Sequence, residues 1–284
     1  MDGYLQLSRP INCAMAAAGV FIGGVVAVGS DAWQGALVDL LLAAAAAASF
    51  TAGGNALNDI YDRETDRINH PERPIPSGRL TVRSAMVFVA VAFVLATAVA
   101  FVVGLEALLL VLANLAVMLA YEAKLKSSGF SGNIAIAYLV GSLFLFGGLS
   151  VYAGERDALL RTGVLATLAF FSTVGREITK DIEDITGDVD RRTLPQRIGA
   201  SRAGAVAAGC FTLGVVLSLF PWWFAVLPWP YLVLVLVADG MFIYAALYSA
   251  KNPGLSERVA KVAMIVALVA FLLGGAYEGL RIAA

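Results

Sequence analysis

The segment Asn55–Arg79 reads NALNDIYDRETDRINHPERPIPSGR. Acids and arginines are interspersed along it, although the sequence is 60% hydrophobic and only 14% charged. In a continuous helix, where successive residues advance by about 100°, its polar residues form a stripe on one face. The residues of this stripe are Asn55, Asp59, Asp62 and Asp66, with Asn58 beside them. Because acids are costly near hydrocarbon, such a stripe predicts a functional site.

The composition predicts an all-α polytopic membrane protein. A mean hydropathy of +0.81 and the low charged fraction exclude a soluble domain, in which about a quarter of the residues are charged. Apolar runs close to the roughly 20 residues that span a bilayer recur along the chain. They predict about nine helices around a central cavity, in a single transmembrane domain over residues 1–284. The predicted segments are 11–29, 36–58, 82–104, 106–121, 132–152, 159–178, 203–220, 226–248 and 260–280.

The distribution of positive charge predicts the orientation. All but three of the 20 Lys and Arg residues lie on the side of the N-terminus and of the connections after the even-numbered helices. Since such residues concentrate in cytoplasmic loops, this side is predicted to face the cytoplasm. The four tryptophans then lie at the opposite interface, as in an aromatic belt. We therefore expect a multi-pass protein of the cell membrane, with its N-terminus inside and its active site facing the cytoplasm.

A second acidic segment, GREITKDIEDITGDVDRRTLPQRIG, spans Gly175–Gly199. A shift of 122 residues superposes its acids on those of the first segment. The pairs are Asn55 with Glu177, Asn58 with Lys180, Asp59 with Asp181, Asp62 with Asp184 and Asp66 with Asp188. Either segment alone is equally compatible with a solvated ion-pair network at a helix end. Together they predict two pseudo-repeated motifs, 55–79 and 175–199, that face each other across the cavity.

Oxygen ligands dominate both segments and favour Mg²⁺ over Zn²⁺, because the chain has only two Cys and one His. Mg²⁺ is usually held by one or two carboxylates together with substrate phosphates. The nearby Arg and Lys residues are suited to the phosphate oxygens that the metal leaves free. With apolar helices behind the site, the pattern predicts a polyisoprenoid diphosphate as substrate. We expect the lipid bilayer as surroundings, and neither a nucleic acid nor an obligate protein partner.

The motifs NDIYDRETD and DIEDITGD, at residues 58–66 and 181–188, resemble the NDxxDxxxD and DxxxD motifs of the UbiA superfamily of intramembrane prenyltransferases. The resemblance covers essentially the whole chain and includes the number of helices. Other stretches are similar to one branch, the archaeal digeranylgeranylglyceryl phosphate synthases. These are SRPINC, INHPERPIPSGRLT, KLKSSGFSGN, FLFGG and GREITKDIED.

The resemblance implies transfer of a geranylgeranyl group from geranylgeranyl diphosphate to the free hydroxyl of geranylgeranylglyceryl phosphate, with Mg²⁺ as cofactor. The implied metal ligands are Asn58, Asp62, Asp66, Asp184 and Asp188, and the four aspartates are the catalytic residues. The implied diphosphate contacts are Asn58, Arg67, Lys124 and Lys180. The implied acceptor contacts are Arg9, Asn12 and Tyr121. The residues implied as metal ligands or as supports of those ligands are Asn55, Asp59, Glu177 and Asp181.

Several interpretations remain open from sequence. The pair Lys124 and Lys126 and the residue Arg9 are equally well explained as charges that set topology, and Tyr121 as an interfacial anchor. An aromatic acceptor, as in quinone biosynthesis, is the alternative within the superfamily. A transporter for a cation or an organic anion is the alternative outside it, since repeated motifs and intramembrane acids also occur there. Transporter sites usually lie near the midplane, however, whereas both acidic segments here lie at helix ends.

Overall fold

The computed structural model describes residues 3–29, 33, 35–152, 156–185 and 192–277. In these ranges nine helices are long and apolar enough to cross a membrane, which confirms the predicted number and the all-α class. The spanning helices are α2 (Pro10–Val28), α3 (Leu37–Tyr61), α5 (Val82–Val103), α6 (Leu105–Ala123), α7 (Phe130–Ser150), α8 (Arg156–Glu183), α10 (Ala200–Ser218), α12 (Trp229–Tyr248) and α13 (Pro253–Tyr277). The shorter helices are α1 (Gly3–Ser8), α4 (Arg63–Asn69), α9 (Leu194–Ile198) and α11 (Phe220–Trp223).

Two spanning helices extend further on their charged sides than the apolar runs predict. The run 159–178 belongs to α8, which continues to Glu183, and the run 260–280 belongs to α13, which begins at Pro253. Proline suits the first turn of a helix because the N–H that it lacks would have no partner there. Hydropathy detects only the apolar part of such helices. As a result, charged residues expected in connections lie on rigid helices instead.

The spanning helices pack as a closed ring. Each one contacts the next in the chain, and α13 contacts α2, which closes the circle. α2 also packs across the ring against α7 and α8, and α13 packs against α8. The ring surrounds a cavity, and the helix ends that carry the two acidic segments lie at its mouth.

The crossing of α2 and α7 depends on glycine. A Cβ atom on Gly147 would lie 2.0 Å from the carbonyl oxygen of Val20, and one on Gly23 would lie 2.6 Å from that of Phe144. No side chain fits at such distances, so the two backbones can approach only where both helices present glycine. Small residues serve the same purpose at helix contacts in lipid, where hydrophobic burial between helices provides little driving force.

Candidate active site

The ring of helices encloses a cavity of about 1030 Å³. Charged side chains at the ends of α3, α6 and α8 and near the start of α13 line its mouth. Mainly apolar and small side chains line the interior, and a few polar ones lie among them, namely Asn114, Ser142, Ser218 and Asp239. The interior residues include Phe50, Phe144, Phe146, Leu168, Val235 and Phe271. The cavity therefore suits an amphiphile with a charged head and an apolar chain.

The first acidic segment forms one wall of the mouth. α3 ends at Tyr61 and α4 starts at Arg63, so the continuous helix predicted from sequence is interrupted at Asp62. The backbone N–H of Asp66 still donates to the carbonyl of Asp62 at 2.8 Å, which keeps this turn helical. Asn58, Asp62 and Asp66 consequently all line the cavity, together with Asn55.

Asp59 and Asp66 are buried carboxylates held by arginines. Asp59 Oδ1 lies 2.5 Å from Arg9 Nη2 and 3.7 Å from Arg73 Nη1. The same Arg73 atom lies 2.6 Å from Asp66 Oδ2. Asp59 is 2% exposed and Asp66 is 4% exposed, and a buried charge is tolerated only where it is paired. Arg9 and Arg73 therefore hold the acidic segment in place.

Lys126 forms a second ion-pair group on this wall. Its Nζ lies 2.6 Å from Asp62 Oδ2 and 3.3 Å from Glu122 Oε2. Asn58 Nδ2 donates to Glu122 Oε1 at 2.9 Å. The side chains of Lys126 and Glu122 are 10% and 1% exposed. The group brings a cation directly beside Asp62, one of the predicted metal ligands.

The sequence interpretation assigned phosphate contact to Lys124 rather than to Lys126. α6 ends at Ala123, Lys124 leaves the helical backbone conformation, and a 3₁₀ turn follows at Leu125–Ser127. This change of helical phase turns Lys126 into the cavity and leaves Lys124 on the exposed surface. The i, i+4 spacing of Glu122 and Lys126 at the end of an apolar helix is the sequence signal that identifies the pair.

α8 forms a second wall, and its lining positions repeat those of α3. The lining residues of α3 and the residue after it are Ala46, Ala47, Phe50, Thr51, Gly54, Asn55, Asn58 and Asp62. Those of α8 and the residue after it are Leu168, Ala169, Ser172, Thr173, Arg176, Glu177, Lys180, Glu183 and Asp184. Except for Glu183, each follows its counterpart by the same 122 residues. The agreement supports our proposal that the two acidic motifs are a structural repeat.

The second acidic segment is described in part. Asp181 Oδ2 accepts a hydrogen bond from Asn133 Nδ2 at 2.9 Å, which ties α8 to α7. Asp184 lines the cavity, whereas Asp188, also a predicted metal ligand, lies outside the described residues. The structure thus brings three of the four predicted catalytic aspartates to one cavity.

The remaining predicted contacts divide between the cavity and the outer surface. Arg9, Asn12, Tyr121 and Lys180 line the cavity. Arg67 instead lies 2.7 Å from Glu64, and both side chains are 63% exposed. Its predicted phosphate contact would require this side chain to turn from the surface into the mouth.

The oxygen donors at the mouth fit Mg²⁺. Among the described residues, no three Asp, Glu, His or Cys side chains form a ready-made metal cluster. The reason lies in the ion pairs: Asp59, Asp62 and Asp66 are each directed at an Arg or Lys. Carboxylates together with the amide oxygen of Asn58 nevertheless provide the hard ligands that Mg²⁺ prefers.

Comparison with known proteins identifies the family. Residues 16–269 match the model of the UbiA prenyltransferase family. The chain belongs to the UbiA prenyltransferase family. The resemblance seen in the two acidic motifs is thereby confirmed. With nine apolar helices in the part of the chain that the structure describes, the protein is an integral membrane prenyltransferase.

Relatives and solved structures in this family are similar to this chain over nearly its whole length. A protein of Methanopyrus kandleri named digeranylgeranylglyceryl phosphate synthase is 40% identical over 279 residues, covering 96% of this chain and 98% of its own length. A solved structure from work on digeranylgeranylglyceryl phosphate synthase in membranes is 32% identical, with a TM-score of 0.79 over 96% of this chain and 98% of that one. A UbiA homologue from Archaeoglobus fulgidus, solved with DMAPP and Mg²⁺, shares the fold at a TM-score of 0.63 and 20% identity. It covers 94% of this chain and 98% of its own.

Proposed function

We propose that this UbiA-family enzyme is a digeranylgeranylglyceryl phosphate synthase. It transfers the geranylgeranyl group of geranylgeranyl diphosphate to the free hydroxyl of geranylgeranylglyceryl phosphate and so makes an ether lipid. The observation that carries the proposal is the convergence of Asp62, Asp66 and Asp184 on one cavity with an apolar interior. The names of the relatives at about 40% identity support the glyceryl acceptor over an aromatic one.

We propose that the metal ligands are those predicted from sequence, Asn58, Asp62, Asp66, Asp184 and Asp188. Bound Mg²⁺ would neutralise the charge of the diphosphate as it leaves. The Archaeoglobus homologue solved with Mg²⁺ and a prenyl diphosphate supports this cofactor. Asn58 and Glu122 share a hydrogen bond, so the amide that would reach the metal is held in a fixed orientation.

The cations of the mouth supply the electrostatic part of the chemistry. Cleavage of the allylic C–O bond leaves a carbocation on the prenyl chain and a diphosphate anion, so positive groups near the diphosphate lower the barrier. Lys126 is the first candidate because it is nearly buried beside Asp62. Lys180 lines the opposite wall and is the second. The mainly apolar lining of the interior disfavours water, which would otherwise capture the carbocation in place of the acceptor hydroxyl.

The orientation in the membrane is part of the proposal. The Lys and Arg residues of the mouth lie at helix ends that the positive-inside pattern predicts to be cytoplasmic. We therefore propose that the cavity opens to the cytoplasm of the cell membrane, where water-exposed phosphate heads would enter.

The test is a transfer assay with the full-length protein in lipid nanodiscs. Labelled geranylgeranyl diphosphate is offered with either geranylgeranylglyceryl phosphate or 4-hydroxybenzoate, and the products are identified by mass spectrometry. We expect the labelled diether only, no transfer in EDTA, and recovery on addition of Mg²⁺. Transfer to 4-hydroxybenzoate alone refutes the glyceryl acceptor, and activity that persists in EDTA refutes the metal.

A further inference from the structure

Lys261 and Arg176 are two cations of the cavity that a metal site does not require. Arg176 lies on α8 and follows its counterpart on α3, Gly54, by 122 residues, so α3 has no cation at this position. Lys261 belongs to α13, outside both acidic motifs. Both side chains line the cavity. Acids and amides hold a metal, whereas these added cations are suited to an anion that the protein binds directly.

The two cations meet at Glu257. Its Oε1 lies 2.9 Å from Arg176 Nη1 and 3.8 Å from Lys261 Nζ, so the two nitrogens are at most 6.7 Å apart, the sum of these distances. Arg176 also pairs with Glu177. Its position is therefore fixed by a carboxylate on α13 and by one on its own helix.

Lys261 is less constrained by ion pairs than Arg176. Its distance of 3.8 Å from Glu257 exceeds hydrogen-bonding range, and among the described residues its ammonium makes no hydrogen bond. Its side chain is 56% exposed, and an ion pair of this kind contributes little free energy. A ligand phosphate can therefore bind Lys261 with little loss of free energy, because the ion pair with Glu257 that it replaces is weak.

An apolar stripe leads from Lys261 into the cavity. Met264, Leu268 and Phe271 follow it on α13 at helical spacing, and all three line the cavity. One face of this helix thus presents a cation at the mouth and apolar side chains below it. That is the pattern expected for a phosphorylated lipid whose chain runs along the helix.

We propose that Lys261, with Arg176 behind it, binds the phosphate of the glyceryl phosphate acceptor, and that the acceptor's prenyl chain follows the stripe on α13. The inference rests on the proposed function, in which two phosphorylated lipids occupy the cavity together. The diphosphate has the metal ligands, so the acceptor phosphate needs cations of its own. Arg9, the candidate from sequence, is less available because it lies 2.5 Å from the buried Asp59.

The test compares kinetic constants of Lys261→Gln and Lys261→Arg in nanodiscs. Loss of one charge-assisted hydrogen bond at a partly exposed site should raise KM for geranylgeranylglyceryl phosphate about tenfold, or roughly 1.4 kcal/mol. KM for geranylgeranyl diphosphate and kcat should stay within about twofold, and the arginine variant should restore the acceptor KM. Lys251→Gln is the matched control, because it removes the same charge from the exposed turn after α12.

Geranylgeranylglycerol, which lacks the phosphate, separates binding from structural damage. We expect the wild-type protein to prefer the phosphorylated acceptor and Lys261→Gln to lose most of that preference. An unchanged preference, or an increase in KM for geranylgeranyl diphosphate instead, overturns the inference while the proposed function stands. Failure of the wild-type protein to alkylate either glycerol acceptor refutes the proposed function, and the inference with it.

Discussion

Replacing Lys126 with Gln removes a cation that contacts both Asp62 and Glu122. Its ammonium is 2.6 Å from the first carboxylate and 3.3 Å from the second, and the Glu122 side chain is 1% exposed. Breaking a buried pair by removing one partner costs about 3–5 kcal/mol. We expect the low end of this range, because Asp62 is 20% exposed and Asn58 still donates to Glu122.

The loss of Lys126 should lower kcat by an amount that its effect on the free energy of unfolding does not account for. If Lys126 stabilises the departing diphosphate, its loss should lower kcat by about 10²–10³-fold, the usual cost of losing one electrostatic contact to developing charge. The assay measures kcat with saturating substrates in nanodiscs and thermal unfolding by circular dichroism. Lys124→Gln is the control: it removes the same charge two residues away, on the exposed surface, and should leave kcat within about twofold.

A double variant, Glu122→Gln with Lys126→Gln, decides between the two roles of this lysine. It leaves fewer unpaired charges, so most of the lost stability should return while kcat stays low. Recovery of kcat in the double variant would exclude a catalytic role for Lys126, because this lysine would then serve only to neutralise Glu122. A large loss of kcat in Lys124→Gln would contradict the placement of the two lysines.

Two further predictions concern the acids and the helix crossing. Asp62→Asn and Asp184→Asn should each lower kcat about 10²–10³-fold without loss of folded protein. The control variant Asp157→Asn, at the opposite end of α8, should keep a kcat near that of the wild type. Normal turnover in Asp62→Asn or Asp184→Asn would show that the replaced residue is not a metal ligand. Gly147→Ala should lower the free energy of unfolding by about 1–3 kcal/mol, because its Cβ would lie 2.0 Å from the Val20 carbonyl oxygen. Gly209→Ala, with nothing within 4 Å of the new atom, should be neutral or slightly stabilising, because alanine favours a helix interior over glycine. Equal unfolding temperatures for the two variants would contradict the close crossing of α2 and α7.

Much of the architecture follows from the sequence because lipid imposes strong constraints. A span must satisfy its own backbone hydrogen bonds, so an apolar run of sufficient length is a helix wherever it lies. The number of helices was predictable for this reason. Their charged extensions were not, because hydropathy cannot tell a helix that continues beyond the bilayer from a connection. That is why Glu257 of α13, which precedes the predicted run 260–280, was not assigned to the site.

The residues that line the site were predictable where the helical periodicity continues, and were not predictable where a helix ends. The 122-residue register identified Asn58, Asp62 and Asp184 as residues that line one cavity. The choice between Lys124 and Lys126 depended on a 3₁₀ turn at Leu125–Ser127, and the i, i+4 spacing of Glu122 and Lys126 was its one signal in the sequence. The pairing of Asp59 with Arg9 joins residues 50 positions apart, and only the packing of helices determines such a contact.

An experimental structure of the protein with Mg²⁺ and an unreactive thiolo analogue of geranylgeranyl diphosphate would show directly whether the two acidic segments bind one diphosphate. We expect the diphosphate to lie between Asp62 and Asp184, in contact with Lys126, with its prenyl chain in the mainly apolar interior. A diphosphate bound away from either acidic segment would contradict the claim that the two segments form one site.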